Sequence, residues 1–239
     1  MPRAQPGRNT LIASRADHPV VLAVVATVQE QRALLRDLSG EPVEVGPYRA
    51  VRTGTATLVV SGIGPAAAAA ATATALALAP YDVVLSVGIC GGFLGAAQIG
   101  DIVVATDLVA ADLGADSPDG FLGMGQLGWA EDTCSVDPRH VRRVVERIGE
   151  VVTGPILTVS TVTGTDARAC FLAERHGAVA EAMEGWGVFE ASRQHGLPVL
   201  EVRSVSNQVG IRDTRSWDFA AAFTALGTVG GALLGDPWF

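Results

Sequence analysis

Across residues 53–100 the chain carries a single charged side chain, Asp82. An apolar stretch of that length either crosses a membrane or lies inside a folded domain, and its punctuation decides which. Gly62, Gly64, Pro65, Pro80 and the glycines between Gly88 and Gly92 interrupt it, whereas a spanning helix needs about 20 continuous apolar residues with asymmetric flanking charge. The stretch therefore reads as buried strands and helices, and no membrane partner is expected.

Residues 20–26 (VVLAVVA) form a charge-free, β-branched run too short for a helix, which is how a central strand covered on both faces looks. Residues 29–38 turn amphipathic, and residues 51–60 read as one strand. Pro65 stands where proline is tolerated, at the opening turn of a helix over 66–79, and Pro80 ends it. Further strands are expected at 83–87, 101–106, 156–160 and 199–205, and further helices at 138–150, 168–176, 184–195 and 219–234. Residues 110–135 look less regular. Such alternation implies a single-domain α/β fold, its central, twisted, mixed and mostly parallel sheet flanked by helices. Residues 1–18 are polar and basic without the apolar core of a signal peptide, and are expected to be a flexible leader to a domain over 19–239.

A chain of 239 residues buries roughly 70–75% of its unfolded surface, enough for a core without staples. With 17 basic against 25 acidic side chains the net charge is −8, and no Lys or Arg run offers a surface to nucleic acid. Cys90, Cys134 and Cys170 stand far apart, an odd count that suits reduced thiols in a cytoplasm. His18, His140, His176 and His195 form no HxxxH or HxH pair, so neither a metal nor another cofactor is expected.

Gly62-Ile-Gly64-Pro-Ala-Ala67 matches GxGxxA with Asp82 20 positions after Gly62, a superficial dinucleotide fingerprint. The acid, however, precedes the strand at 83–87 and would lie at its wrong end for a ribose. The two glycines can still present backbone N–H groups to an anion or a sugar hydroxyl, or simply make a tight turn. Ser86-Val-Gly88-Ile-Cys90-Gly91-Gly92 follows a buried strand and reads as a glycine loop at the carboxyl edge of the sheet, where open α/β folds bind ligands. Arg203 inside the apolar run VLEVRSVS is costly unless paired. Its expected partner is Glu184, which opens a helix, or a carboxylate from the N-terminal segment.

Taken in order, SGIG, SVGICGG, IGDIVV, STVTGT, AMEG and RSVSN resemble the nucleoside phosphorylase and nucleosidase superfamily over residues 20–234. Glu184 precedes Arg203 by 19 positions and Arg203 precedes Asn207 by four, spacings like those of the methylthioadenosine/adenosylhomocysteine nucleosidase branch. The resemblance implies that Met183 packs on the ribose, that Glu184 accepts its hydroxyls, that Thr161 and Val162 flank the base and that Cys90 and Gly91 line the facing wall. The water-activating carboxylate of that branch falls, without gaps, on Gln31. Gln31 cannot accept a proton, and the neighbouring Glu30 is the expected base. Ser86 and Ile89 stand where the family's phosphorylases carry phosphate ligands, which implies water as the nucleophile.

Adenine-cleaving relatives use an aspartate where this chain has Asn207, whose amide suits the O6 and N7 edge of a 6-oxopurine. The pattern from Ser206 and Asn207 through Arg212 and Asp213 to Trp217 is similar to the futalosine hydrolases. That resemblance implies release of hypoxanthine and dehypoxanthinyl futalosine in menaquinone biosynthesis, by Glu30, Glu184, Arg203 and Asn207. It leaves Asp213 as a substitute proton donor, and Trp217 with Arg212 or Arg215 as contacts for the aromatic carboxylate at the 5′ end. It also implies a homo-oligomer, a dimer or a multiple of one. Another purine nucleosidase, a phosphorylase or a non-catalytic nucleoside-binding module are the alternatives.

Overall fold

The structure, a computed structural model, describes residues 20–239, so the expected leader and His18 lie outside the described residues. The chain runs β1 (Val21–Val25), α1 (Val28–Leu34), β2 (Glu41–Val45), β3 (Tyr48–Thr53), β4 (Ala56–Val60), α2 (Pro65–Leu78), β5 (Val83–Gly92) and β6 (Ile102–Ala110). Short pieces follow: β7 (Gly114–Ala115), β8 (Leu122–Gly123), α3 (Met124–Leu127) and β9 (Thr133–Ser135). Then come α4 (Pro138–Ile148), β10 (Val152–Thr158), α5 (Asp166–His176), β11 (Ala180–Ala182), α6 (Gly185–Arg193), β12 (Val199–Gln208) and α7 (Phe219–Leu233).

The large sheet has the order β11-β10-β6-β12-β5-β1-β4-β3-β2. β1 and most of β5 and β12 are buried, as β-branched runs covered on both faces must be. Parallel pairing of β1 with β4 and β5, and of β5 with β12, aligns their carboxyl ends along one edge. Small residues bring the helices close. A Cβ on Gly187 of α6 would run into the Pro65 carbonyl of α2, and one on Gly230 of α7 into the Leu34 carbonyl of α1.

Several expectations need correction. The sheet is mixed: among the described residues its pairings divide into five parallel and five antiparallel, the parallel ones including the long β5–β12 ladder. Residues 51–60 are not one strand, because Gly54 adopts φ 49 and turns β3 back onto β4. β2 and β11 were not expected; the first is a largely exposed edge and the second has only three residues. The glycine loop after residue 87 is strand. β5 continues to Gly92, where Glu181 and Ala180 of β11 pair antiparallel with Gly91 and Gly92 and close β5, β12, β6, β10 and β11 into a ring.

Candidate active site

Where β1, β5, β12 and β11 end, a cavity of about 340 Å³ opens, lined among others by Thr27, Glu30, Cys90, Gly91, Val162, Glu181, Met183, Glu184, Asn207, Arg212 and Trp217. Its position at the strand carboxyl ends follows the rule for α/β folds. Most of the expected site residues meet here. Thr161 and Asp213 are not among the lining residues, and Arg203 stands one layer behind.

Glu30 is placed by a capping box. Thr27 ends β1's extension in a β conformation and caps α1: its hydroxyl accepts from the Glu30 N–H, while Glu30 Oε2 accepts from the Thr27 N–H and O–H, both at 2.8 Å. Glu30 Oε1 accepts from the Ile89 N–H at 2.9 Å. The carboxyl is 3% exposed, and burial pushes its pKa above the ordinary value, against the pull of the Ile89 and Thr27 donors and of Arg203. The neighbouring Gln31 is turned elsewhere, its amide donating to the Leu58 carbonyl.

Arg203 is 1% exposed and spends its guanidinium on three partners. Nη1 donates to Glu184 Oε2 at 3.0 Å, Nε to Glu201 Oε1 at 2.9 Å and Nη2 to the Ser86 hydroxyl at 2.9 Å. Burial alone would lower its pKa, but Glu201, Glu184 and Glu30 more than offset that, so it stays charged. Glu184 Oε1 accepts from the Gly64 N–H at 3.1 Å. The anion served by that glycine turn is therefore the chain's own carboxylate; Gly62 and Gly64, at φ 90 and 95, make a turn that other residues resist. Although Glu184 sits at the N-cap of α6, its side chain caps nothing.

The glycines of β5 now have a reason. Gly88 pairs with Arg203 across the sheet, and a Cβ there would lie 2.5 Å from Glu30 Oε1 and 2.9 Å from Arg203 Nη1. It makes room for those two side chains. Gly91 does border the cavity, beside the Asn207 amide. Asn207 Oδ1 accepts from the Ser206 hydroxyl at 2.9 Å and Nδ2 donates to the Gln208 carbonyl at 3.1 Å, which fixes the amide plane and leaves Nδ2 one N–H to donate and Oδ1 one lone pair to accept with. The Cys90 thiol is pushed up to about 12 by burial and is no nucleophile.

At the mouth, the Arg212 guanidinium lies 5.1 Å from the centre of the Trp217 ring. Asp213 turns to Arg215, which donates to it from Nε and Nη2 at 2.8 and 2.7 Å. These hydrogen bonds hold the Asp213 carboxyl below its ordinary range, a poor state for a proton donor. Thr161 is exposed and its N–H points to Asp112 at 3.4 Å.

A match to the family model described as the phosphorylase superfamily runs over residues 20–233. The chain belongs to the phosphorylase superfamily. It is 51% identical to a futalosine hydrolase of Streptomyces coelicolor over 74% of this chain and 77% of that one. It is 46% identical to a futalosine hydrolase of Acidothermus cellulolyticus over 91% of each. In fold it is similar to the native structure of futalosine hydrolase of Helicobacter pylori, with a TM-score of 0.75 at 20% identity over 89% and 94% of the two chains. Superfamily membership carries the fold, whereas the reaction is a matter for the site.

Three polar groups of this site had no role in the sequence reading. Glu201 lies two residues before Arg203 on β12, so period-2 alternation puts both on one face, a signal that was available. Ser86 was noted only as a missing phosphate ligand, yet it accepts from Arg203. Glu181 is 6% exposed and lines the cavity. Among the described residues no group of three His, Cys, Asp or Glu side chains could hold a metal ion. Nor is any helix there long and apolar enough to cross a membrane.

Proposed function

We infer that the chain is a futalosine hydrolase, cleaving the N-ribosidic bond of futalosine with water to give hypoxanthine and dehypoxanthinyl futalosine, a step towards menaquinone. One observation carries the choice of nucleophile: three carboxylates, of Glu30, Glu184 and Glu201, crowd around a guanidinium each of whose nitrogens already donates to a partner within the protein. A phosphate dianion beside Glu30 would meet repulsion, with Arg203 already engaged by Glu184, Glu201 and Ser86, whereas a ribose turning cationic would be stabilised.

In this reading Met183 packs on the ribose, and Glu184, held rigid by Arg203 and Gly64, accepts from its hydroxyls more strongly as positive charge grows. Glu30 takes a proton from water as its oxygen bonds to the anomeric carbon. The electron pair of the C–N bond leaves with the purine, whose O6 and N7 edge rests on Asn207, and the purine takes up a proton from solvent. Arg203 touches no substrate and acts by positioning two carboxylates. Purified protein is expected to release hypoxanthine from futalosine in phosphate-free buffer, and far more slowly from inosine or methylthioadenosine. Strict dependence on phosphate overturns the hydrolase.

The mouth suits the aromatic carboxylate at the 5′ end: Trp217 offers a ring face, and Arg212, which borders the cavity, a charged donor. Arg215 is committed to Asp213. Arg212→Gln is expected to raise KM for futalosine roughly tenfold, in the range of a charge-assisted hydrogen bond partly open to water, and to leave inosine cleavage unchanged. Steady-state kinetics on the two substrates checks this; equal losses on both would remove Arg212 from the 5′ contact. The three unpaired cysteines support a reducing cytoplasm. The resemblance to the superfamily supports a homo-oligomer, a dimer or a multiple of it.

A further inference from the structure

Across the β12–β5 ladder Asn207 pairs with Gly91, and across the β11–β5 ladder Glu181 pairs with the same Gly91. The two residues thus flank one glycine from opposite sides, and both line the cavity. Strands lie about 4.7–4.9 Å apart, so the gap between them is roughly two strand spacings, which a planar base with hydrogen bonds to each side can span. Asn207 has a role in the reaction; Glu181 has none so far. Its Oε1 accepts from the Thr163 N–H at 2.8 Å and its Oε2 from the Thr163 hydroxyl, two donors that fix the carboxylate plane. No Lys or Arg among the described residues forms a salt bridge with it. Burial pushes its pKa above the ordinary value, against the pull of the Thr163 donors and of Arg168, and each oxygen still has acceptor capacity.

We propose that Glu181, held by Thr163, selects 6-oxopurines by accepting a hydrogen bond from N1–H of the base while Asn207 holds the O6 and N7 edge. A 6-oxopurine places the N1–H donor next to its carbonyl, so donor and acceptor meet a carboxylate and an amide in turn. A 6-aminopurine turns a bare N1 lone pair towards the carboxylate, so that two acceptors face and repel each other; such mismatches are rejected far more strongly than differences of shape. The proposal deepens the reading of hypoxanthine as the leaving base and rests on it.

The test measures binding of free bases to the intact protein by calorimetry, with no turnover required. Hypoxanthine is expected to bind roughly ten- to a hundredfold tighter than 1-methylhypoxanthine or adenine, the range for a hydrogen bond to a charged group. Glu181→Ala is expected to shrink the hypoxanthine to 1-methylhypoxanthine ratio to within about threefold, and Glu181→Gln, which keeps a neutral acceptor, to restore part of it. Equal binding of hypoxanthine and 1-methylhypoxanthine to the unaltered protein overturns the proposal, and that comparison needs no variant to fold. A folded Glu181→Ala protein with an undiminished ratio overturns it as well. If the base preference holds but futalosine is not cleaved, the hydrolase reading falls and Glu181 keeps its role. If futalosine is cleaved and N1 methylation is ignored, only Glu181 loses it.

Discussion

Glu30→Gln lowers kcat for hypoxanthine release by roughly 10²–10⁴-fold, the usual contribution of a positioned general base, with little change in KM. Glutamine keeps the shape and the capping-box position but cannot take a proton. The pH profile carries a second signature. Burial holds the folded-state pKa of Glu30 above its ordinary 4.5, and the base works only when ionised. kcat/KM therefore falls as pH is lowered through that raised value, earlier than an exposed carboxylate would dictate, and the variant's residual rate lacks this limb. Stability moves the other way. The folded state binds the Glu30 proton more tightly than the unfolded chain, so the group costs stability as pH rises from 4.5 through the folded pKa. At neutral pH the glutamine variant is accordingly expected to melt no more than a few degrees below the parent. A variant that stays folded at full rate would remove Glu30 as the base.

Arg203→Met is expected to cost about 3–5 kcal/mol of stability, because it strands Glu201 and Glu184 in the interior without their cation. At about 2–4 °C per kcal/mol for a chain of this size, the melting temperature drops by roughly 6–20 °C. Protonation of the stranded Glu201, whose pKa burial already raises, relieves part of the penalty, so the difference from the parent narrows at acidic pH. Glu201→Gln in the same chain recovers part of it. Arg203→Lys keeps the charge but cannot reproduce the fork that reaches Glu184, Glu201 and Ser86 together; at a temperature where it stays folded, kcat falls more than KM rises, as befits a group that orients Glu184. Thermal melts at pH 5 and pH 8, with kinetics on the lysine variant, measure both. A methionine variant as stable as the parent would show that the guanidinium does not hold these carboxylates.

The expense of a cation in an apolar strand made Arg203 legible from sequence, and with it Glu184, which the structure places at 3.0 Å. Glu30 was chosen over Gln31 on chemical grounds, since an amide cannot accept a proton; in the structure Glu30 lines the cavity and the Gln31 amide donates to the Leu58 carbonyl. The β5 glycines were not. Glycine weakens strands on its own account, so residues 88–92 read as a loop until the neighbours that need the space, Glu30 and Arg203 at Gly88 and the Ala97 backbone at Gly92, are in view. Closure of the sheet was equally hidden, since three residues of β11 carry too little pattern to betray a strand. Thr161 and Asp213 were read from motif position alone, and neither borders the cavity.

The return of β11 to β5 hoops the far end of the sheet like the staves of a cask. Backbone hydrogen bonds fix the girth of the vessel, so its walls do not spread to admit a bulkier heterocycle. Change of diet in such a container has to come from what projects inward or from the segment carrying Arg212 and Trp217 at its lip. The closed circuit of strands is left to hold the chemistry still.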